Sequence, residues 1–309
     1  MTRATAVPEA LDEAQRCGII SKGGLKALTD ILVTLNSGYL DPLCVMLRSL
    51  CINNPLTHIR VFVAHISLTE KDFALIESVV KPYDCEIVNV RVDESRFPDL
   101  PFNYRWPKEA CLRIFAAHFL PESLERVLYL DPDIVVIKDI GDFYSMDLGD
   151  HLLAACTHHF EVFKLLGRHR LRMSKGSVYI NSGVLLMNLE ALRREQKIQD
   201  VYDYVEKNSR KLYLFDQDIL NGLYHTRTLA VNTLLYNLDE RYFKFYNAFQ
   251  TDKKRRIDLN WVADNTVIVH FCGKVKPWDP GYKGKFGERF YLPYARSGAK
   301  ELTRDLKGI

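Results

Sequence analysis

The chain has 309 residues, 47% of them apolar, and a net charge of +3. That supports a sizeable core and gives no reason to expect a nucleic-acid partner. Its seven cysteines are scattered without a C-x-x-C pair, which argues for free thiols in a reducing compartment rather than a disulfide framework.

Residues 1–28 read as an extension, broken at Gly23-Gly24. They lack the apolar segment of a signal peptide, and no apolar run in the chain is long enough to span a bilayer. A cytoplasmic location is therefore expected, with contact at the inner face of a membrane left open. An alternation then begins. Asp30–Leu35 is a strand candidate, and Asp41-Pro42 carries the N-cap and N1 signals of a helix through LCVMLRSLCI. His58–Ala64 is a second strand. Thr69 opens a helix, with Asp72 completing a capping box. Cys85–Val92 is a third strand, a helix follows Pro107 through KEACLRIFAAHFL, and VLYL is a fourth strand. This spacing predicts an α/β protein with a doubly wound, mainly parallel sheet. Beyond Lys138 the pattern is mixed. Leu152–Cys156, Val178–Ile180 and Val184–Asn188 read as short strands, and Leu189–Asn208 as one charged helix. With no repeat and no low-complexity linker, residues 29–290 read as one domain and 291–309 as a tail.

The fourth strand continues as VLYLDPDIVVI. Aspartates are poor strand residues, and two at the end of a buried strand are costly unless neutralised. Residues i and i+2 of an extended chain point the same way, so Asp131 and Asp133 can share one hard divalent cation. A polar turn helped by Pro132 is the plain alternative. In doubly wound sheets ligands sit at the carboxyl ends of strands, where these aspartates fall. Three later segments add polar groups. YINSGVLLMN places Asn181, Ser182 and Gly183 between two apolar runs. LFDQDILNG gathers Asp216, Gln217 and Asp218 at a helix start, where Asp216 could serve only as an N-cap. VIVHFCGKVKPW ends a strand at His270, with Gly273 allowing close approach and Lys276 offering charge to a phosphate.

In order and approximate spacing, LYLDPDIVV, INSGVLLMN, FDQDILNG and HFCGKVKPW resemble the motifs of glycosyltransferase family 8, over roughly Asp30 to Phe290. The likeness is strongest to bacterial lipopolysaccharide galactosyltransferases. The resemblance implies a GT-A fold and a retaining hexosyltransferase using a nucleotide sugar, normally a UDP-hexose. It implies Mn²⁺, with Mg²⁺ as the alternative, on Asp131, Asp133 and His270. A mixed carboxylate and imidazole set suits Mn²⁺. It also implies donor contacts from Thr34, Leu35, Asn36, Tyr39, Arg113, Pro132, His158, Asn181, Ser182, Gly273 and Lys276. Tyr39 would stack on the base, and Asp216 and Gln217 would flank the reacting carbon. The acceptor would be a glycan, glycolipid or glycoprotein. Two positions depart from the family: Asn36 replaces an aspartate at the base, and His158 replaces one at the sugar hydroxyls. Two rivals compete. One is a haloacid-dehalogenase-type phosphatase with Asp131 as nucleophile, although three strands precede the motif and HFCGKVKPW then has no role. The other is a catalytically weak sugar-nucleotide-binding protein.

Overall fold

The computed structural model describes residues 27–93, 95, 97, 108–157 and 161–295. Among these residues nine strands fall into two sheets. β1 (Ala27–Thr34), β2 (Thr57–His65), β3 (Cys85–Arg91), β4 (Arg126–Leu130), β6 (Leu153–Thr157), β7 (Ile180–Asn188) and β8 (Thr228–Val231) form the main sheet, in the order β3-β2-β1-β4-β7-β6-β8. β5 (Ile134–Val136) and β9 (Ile268–His270) make a small antiparallel pair. β1 to β4 run parallel, while β7 is antiparallel to both β4 and β6. The expected mixed second half is therefore present.

The continuous apolar runs follow from a sheet covered on both faces. Leu32, Val127 and Tyr129 enter one core, while Ile31, Val33, Leu128 and Leu130 enter the other. α1 (Leu40–Asn53) and α2 (Glu70–Val80) lie against the second core through Leu43, Leu47, Phe73 and Ile76. α2 opens with the predicted box, Thr69 and Asp72 bonding each other's backbone. α1 starts two residues earlier than expected. A 3₁₀ turn, Ser37–Tyr39, already winds the chain, and Asn36 accepts from Gly38 N. Asp41 is thus in the first turn and not the N-cap.

The chain visits β1, β2 and β3 in one direction and then returns to place β4 on the other side of β1. That reversal opens a crevice at the carboxyl ends of β1 and β4. The helix expected after Pro107 is interrupted. α3 (Lys108–Leu112) tightens to a 3₁₀ turn at Arg113–Phe115 before helix resumes at Ala116–Phe119. Leu189–Asn208 is likewise two helices, α4 (Leu189–Glu195) and α5 (Ile198–Asn208). Gln196 breaks it: its backbone is extended, and its buried amide donates to Ile114 O and Tyr224 Oη at 3.0 and 2.6 Å. Leu292–Ala295, within the segment expected as a tail, forms a short helix on α1. There Tyr294 takes bonds from Arg48 and Asn53.

Candidate active site

β4 ends at Leu130, and Asp131 N still bonds Gly183 O of β7 at 2.8 Å. The chain then leaves the main sheet through Pro132 and enters β5. Ile134 lies opposite His270 in the β5–β9 pair. Strand pairing thus delivers an imidazole, far along the sequence, to the two aspartates. One oxygen or nitrogen from each of Asp131, Asp133 and His270 lies within 4.8 Å of the others. His270 Nε2 is 3.2 Å from Asp133 and 3.7 Å from Asp131.

The imidazole is held in the tautomer a cation needs. Asn237 Nδ2 donates to Asn181 Oδ1 at 2.9 Å, so Asn237 Oδ1 faces His270 Nδ1, 2.7 Å away. Nδ1 must carry a proton, so Nε2 is the ring nitrogen turned to the carboxylates, where a bound cation would take its lone pair in place of a proton. Gly183 is dictated by the same crowding. A Cβ there would stand 2.3 Å from His270 Cε1 and 2.5 Å from Asp131 Oδ2. Two hard oxygen donors and an oriented imidazole fit a divalent cation.

Charge is balanced around the trio. Lys276 donates to Asp133 at 2.5 Å and to Phe271 O at 2.8 Å. Burial alone would raise the Asp133 pKa, but His270 and Lys276 hold its carboxyl well below the usual carboxylate range. Burial also opposes the Lys276 charge, and Asp133 outweighs it, so the ammonium is strengthened. Arg113 is buried behind Asp131. It bonds Asp131 at 2.8 Å, Ser182 O at 3.0 Å and Ala110 O at 2.8 Å, and lies 3.3 Å from Asp216. Its guanidinium stacks over the Tyr129 ring at 4.4 Å. Tyr129 Oη donates to Asp131 at 2.6 Å and lies 3.2 Å from Thr34 Oγ1. Thr34 and Arg113 therefore brace Asp131 from within the protein.

Asn181 and Ser182 do not separate two strands, as the turn-like sequence suggested. They lie inside the single strand β7, which starts at Ile180 and not at Val178. Their side chains find partners that a turn would otherwise provide. Asn181 Nδ2 donates to Gln217 Oε1 at 3.2 Å, and Ser182 Oγ donates to Asp216 at 2.9 Å. Gln217 Nε2 donates to Tyr179 Oη at 3.1 Å. Asp216 and Gln217 come from the first turn of a helix at Phe215–Tyr224, so Asp216 is not its N-cap. Asp218 holds that end instead. Fully buried, it accepts from the backbone of Tyr213 and Leu214, from Tyr179 Oη and from two nitrogens of Arg170. Burial pushes the Asp216 carboxyl up against the pull of Arg113, and Asp131 adds to the rise.

At the open side, Tyr39 is 38% exposed and meets the edge of Trp278, whose own exposure is 37%. Burial raises the Tyr39 phenol, with Lys276 opposing and Asp133 adding, which places the ring beside the same cluster. Leu35 is buried at the end of β1, and Asn36 caps the turn that carries Tyr39. A Cβ at Gly273 would meet only Val275 O, at 3.7 Å, so the protein's own packing does not require glycine there. His158 lies outside the described residues. Asn237, Tyr129, Tyr179, Asp218, Arg170 and Trp278 were not singled out from the sequence as site residues. Asn237 carried no usable signal, since a lone asparagine after an apolar stretch reads as a turn.

A Rossmann-like sheet with an Asp-x-Asp at its switch point, completed by a histidine from a side ladder, defines the class: a glycosyltransferase of the GT-A fold. The family model "Glycosyl transferase family 8" matches residues 30–280, and the chain belongs to that family, among its hexosyltransferases. It is 27% identical over 248 residues to the glycosyltransferase GlyA of Streptococcus pneumoniae. That match covers 80% of this chain but 32% of GlyA. It is 24% identical to lipopolysaccharide 1,3-galactosyltransferase of Salmonella typhimurium, covering 81% of this chain and 72% of that one. Among solved structures, the galactosyltransferase LgtC in complex with donor and acceptor sugar analogs superposes with a TM-score of 0.74 at 26% identity. That superposition spans 89% of this chain and 99% of LgtC.

Proposed function

We propose that this chain, through a catalytic domain spanning residues 29–290, moves a hexose from a UDP-sugar to a saccharide acceptor, with Mn²⁺ and with retention of configuration. The observation that carries the reading is the convergence of Asp131, Asp133, His270 and Lys276 at the β1–β4 crevice. A bound divalent cation would supply charge where the nucleoside diphosphate leaves. Lys276 adds a second positive charge at that point. Tyr39 and Trp278 offer ring surface for the base, and Leu35, Asn36 and Pro132 line the approach to it. Gly273 leaves room for the diphosphate beside Lys276. Asn181, Ser182, Asp216 and Gln217 face the sugar.

Both ends of the Gln217 amide are engaged, and Asp216 is tied to Ser182 and Arg113. Neither is free to swing onto an anomeric carbon. These ties favour front-face transfer over double displacement. The bond from the anomeric carbon to the diphosphate oxygen breaks, the acceptor oxygen bonds the same face, and its proton passes to the departing phosphate. NMR of the first-formed product from an α-linked donor should show an α-glycoside. A β-glycoside would refute retention. The phosphatase rival is not favoured, because His270 and Lys276, idle in that scheme, sit on the aspartates it would use. A cytoplasmic location, at the inner face of a membrane, belongs to the same reading. No helix among the described residues is long and apolar enough to cross one.

Asn237 gives a sharper test of the site. Asn237→Ala frees the His270 ring and removes the acceptor that fixes its tautomer. Mn²⁺ affinity should fall about ten- to a hundredfold. Calorimetry with the metal alone measures this without any turnover. Unchanged affinity would show that Asn237 does not position the ligand.

A further inference from the structure

The segment that leads into the helix Phe215–Tyr224 carries an exposed ring, Tyr213, just ahead of Asp216 and Gln217. Tyr213 is 64% exposed, yet it is firmly placed. Its backbone N–H donates to Asp218 at 2.6 Å, and the Arg170 guanidinium lies over one face of its ring at 4.5 Å. Arg170 is itself fixed, with two nitrogens on Asp218, each at 2.8 Å. The ring is thus held at its base and propped on one face, and its exposure leaves the other face open. Asp218 also accepts from the Tyr179 hydroxyl, which accepts from Gln217. One hydrogen-bond network therefore joins this ring to Gln217.

Two basic stretches meet at the stack of Arg170 on Tyr213. Arg172 follows Arg170 closely, and Arg210 and Lys211 come shortly before Tyr213. Arg172 and Arg210 are exposed, Lys211 is half-buried, and none of them makes an ion pair among the described residues. Other cations of the surface are paired: Arg227 with Glu195, Arg241 with Asp239 and Lys244 with Glu240. The carboxylates of the adjoining helix turn give no relief. Asp216 is held by Ser182 and Arg113, and Asp218 by Arg170. Cations gathered without a counter-charge repel one another, a cost that a bound anion removes. Arg172 adds a second, independent sign. It ends the helix Glu161–Arg170 in a Schellman turn, with Met173 N bonding Arg168 O at 2.9 Å and Arg172 N bonding His169 O at 3.2 Å. Its φ is 55°, and among the described residues no other non-glycine has a positive φ. Glycine would take that place without strain. A strained arginine held where glycine would be free implies a use for its side chain.

A pyranose can lay its C–H face on an open aromatic ring, and guanidinium groups take phosphate or carboxylate oxygens with two parallel N–H bonds. We propose that Tyr213, Arg172, Arg210 and Lys211 form the acceptor subsite and select an anionic saccharide, one that carries phosphate or carboxylate groups. The sugar stacks on the open face of Tyr213, and its charged group meets the cations. Arg170 is not a ligand here, since Asp218 occupies it; it props the ring. The proposal rests on the transferase reading and narrows its acceptor from saccharides in general to charged ones.

The test is a calorimetric titration of the full chain with glucose 6-phosphate, galactose 6-phosphate and glucuronate, each beside its neutral hexose. UDP and Mn²⁺ are present throughout, so that the nucleotide site does not take the probe. A charged sugar should bind about tenfold or more tightly than its neutral parent, and inorganic phosphate alone about tenfold more weakly than the sugar phosphate. Arg172→Gly should lower the affinity for the charged sugar about three- to tenfold while the melting temperature holds or rises, because the substitution relieves the backbone. Arg210→Gln/Lys211→Gln should lower it about tenfold. Tyr213→Ala should weaken charged and neutral sugars alike by about tenfold, and Tyr213→Phe should restore both. No preference for any charged sugar would overturn the proposal, as would affinities unchanged in Arg172→Gly and in the double variant. Inorganic phosphate binding as tightly as the sugar phosphate would overturn it too, since that marks a mere anion patch. Binding is read here without turnover, so failure of this titration is distinct from failure of the transferase reading, which UDP binding with and without Mn²⁺ tests by itself.

Discussion

Asp133→Ala should cut hexosyl transfer by on the order of a thousandfold or more. A cation at the leaving diphosphate contributes several kcal/mol of transition-state stabilisation, and each 1.4 kcal/mol is about tenfold in rate. Asp133 is central to this term, because its two oxygens meet His270 and Lys276 separately. The fold should survive with a lower melting temperature, since Asp133 is buried and its loss leaves Lys276 with its bond to Phe271 O alone. Initial rates on a UDP-hexose with Mn²⁺, beside a melting curve, measure both. A variant that keeps a tenth or more of wild-type activity would return the aspartate pair to the status of a polar turn.

The second large effect is on stability. Arg113→Met should destabilise the protein by about 3–5 kcal/mol, the usual result of removing one partner from a buried charge cluster. Arg113 is 8% exposed and is the shared cation of Asp131 and Asp216. Without it two carboxylates face each other in a dry place, beside a Tyr129 ring that has lost its stacking partner. Urea unfolding of wild type and variant gives the difference. A loss below about 1 kcal/mol would mean that Arg113 points to the donor in solution and does not brace Asp131. Arg113→Lys should recover only part of the loss, since an ammonium cannot both stack and fork.

Much of this molecule was legible in its residues. Apolar runs such as ILV and VLYL are what a strand covered on both faces requires, so β2 to β4 could be placed within one residue, and β1 within three. Asp131, Asp133 and His270 stood out because each interrupts or ends such a run. The failures share a cause. Asn-Ser-Gly looked like a turn, because those residues usually bond their own backbone. Here Gln217 and Asp216 supply the partners, and β7 runs straight through. Gln196 looked like one more polar residue on a charged helix, yet it is buried between Ile114 and Tyr224 and breaks the helix. Asn237 and Asp218 were missed for the same reason. Their roles lie in contacts with Asn181, His270, Tyr179 and Arg170. No local pattern encodes a partner tens of residues away.

The most direct measurement is a calorimetric titration of UDP into the wild type, once with Mn²⁺ and once with EDTA. Asp131, Asp133 and His270, with Lys276 beside them, predict binding that is strong with the metal and at least tenfold weaker without it. Equal affinity in the two titrations would contradict a metal-bridged nucleoside diphosphate at this crevice.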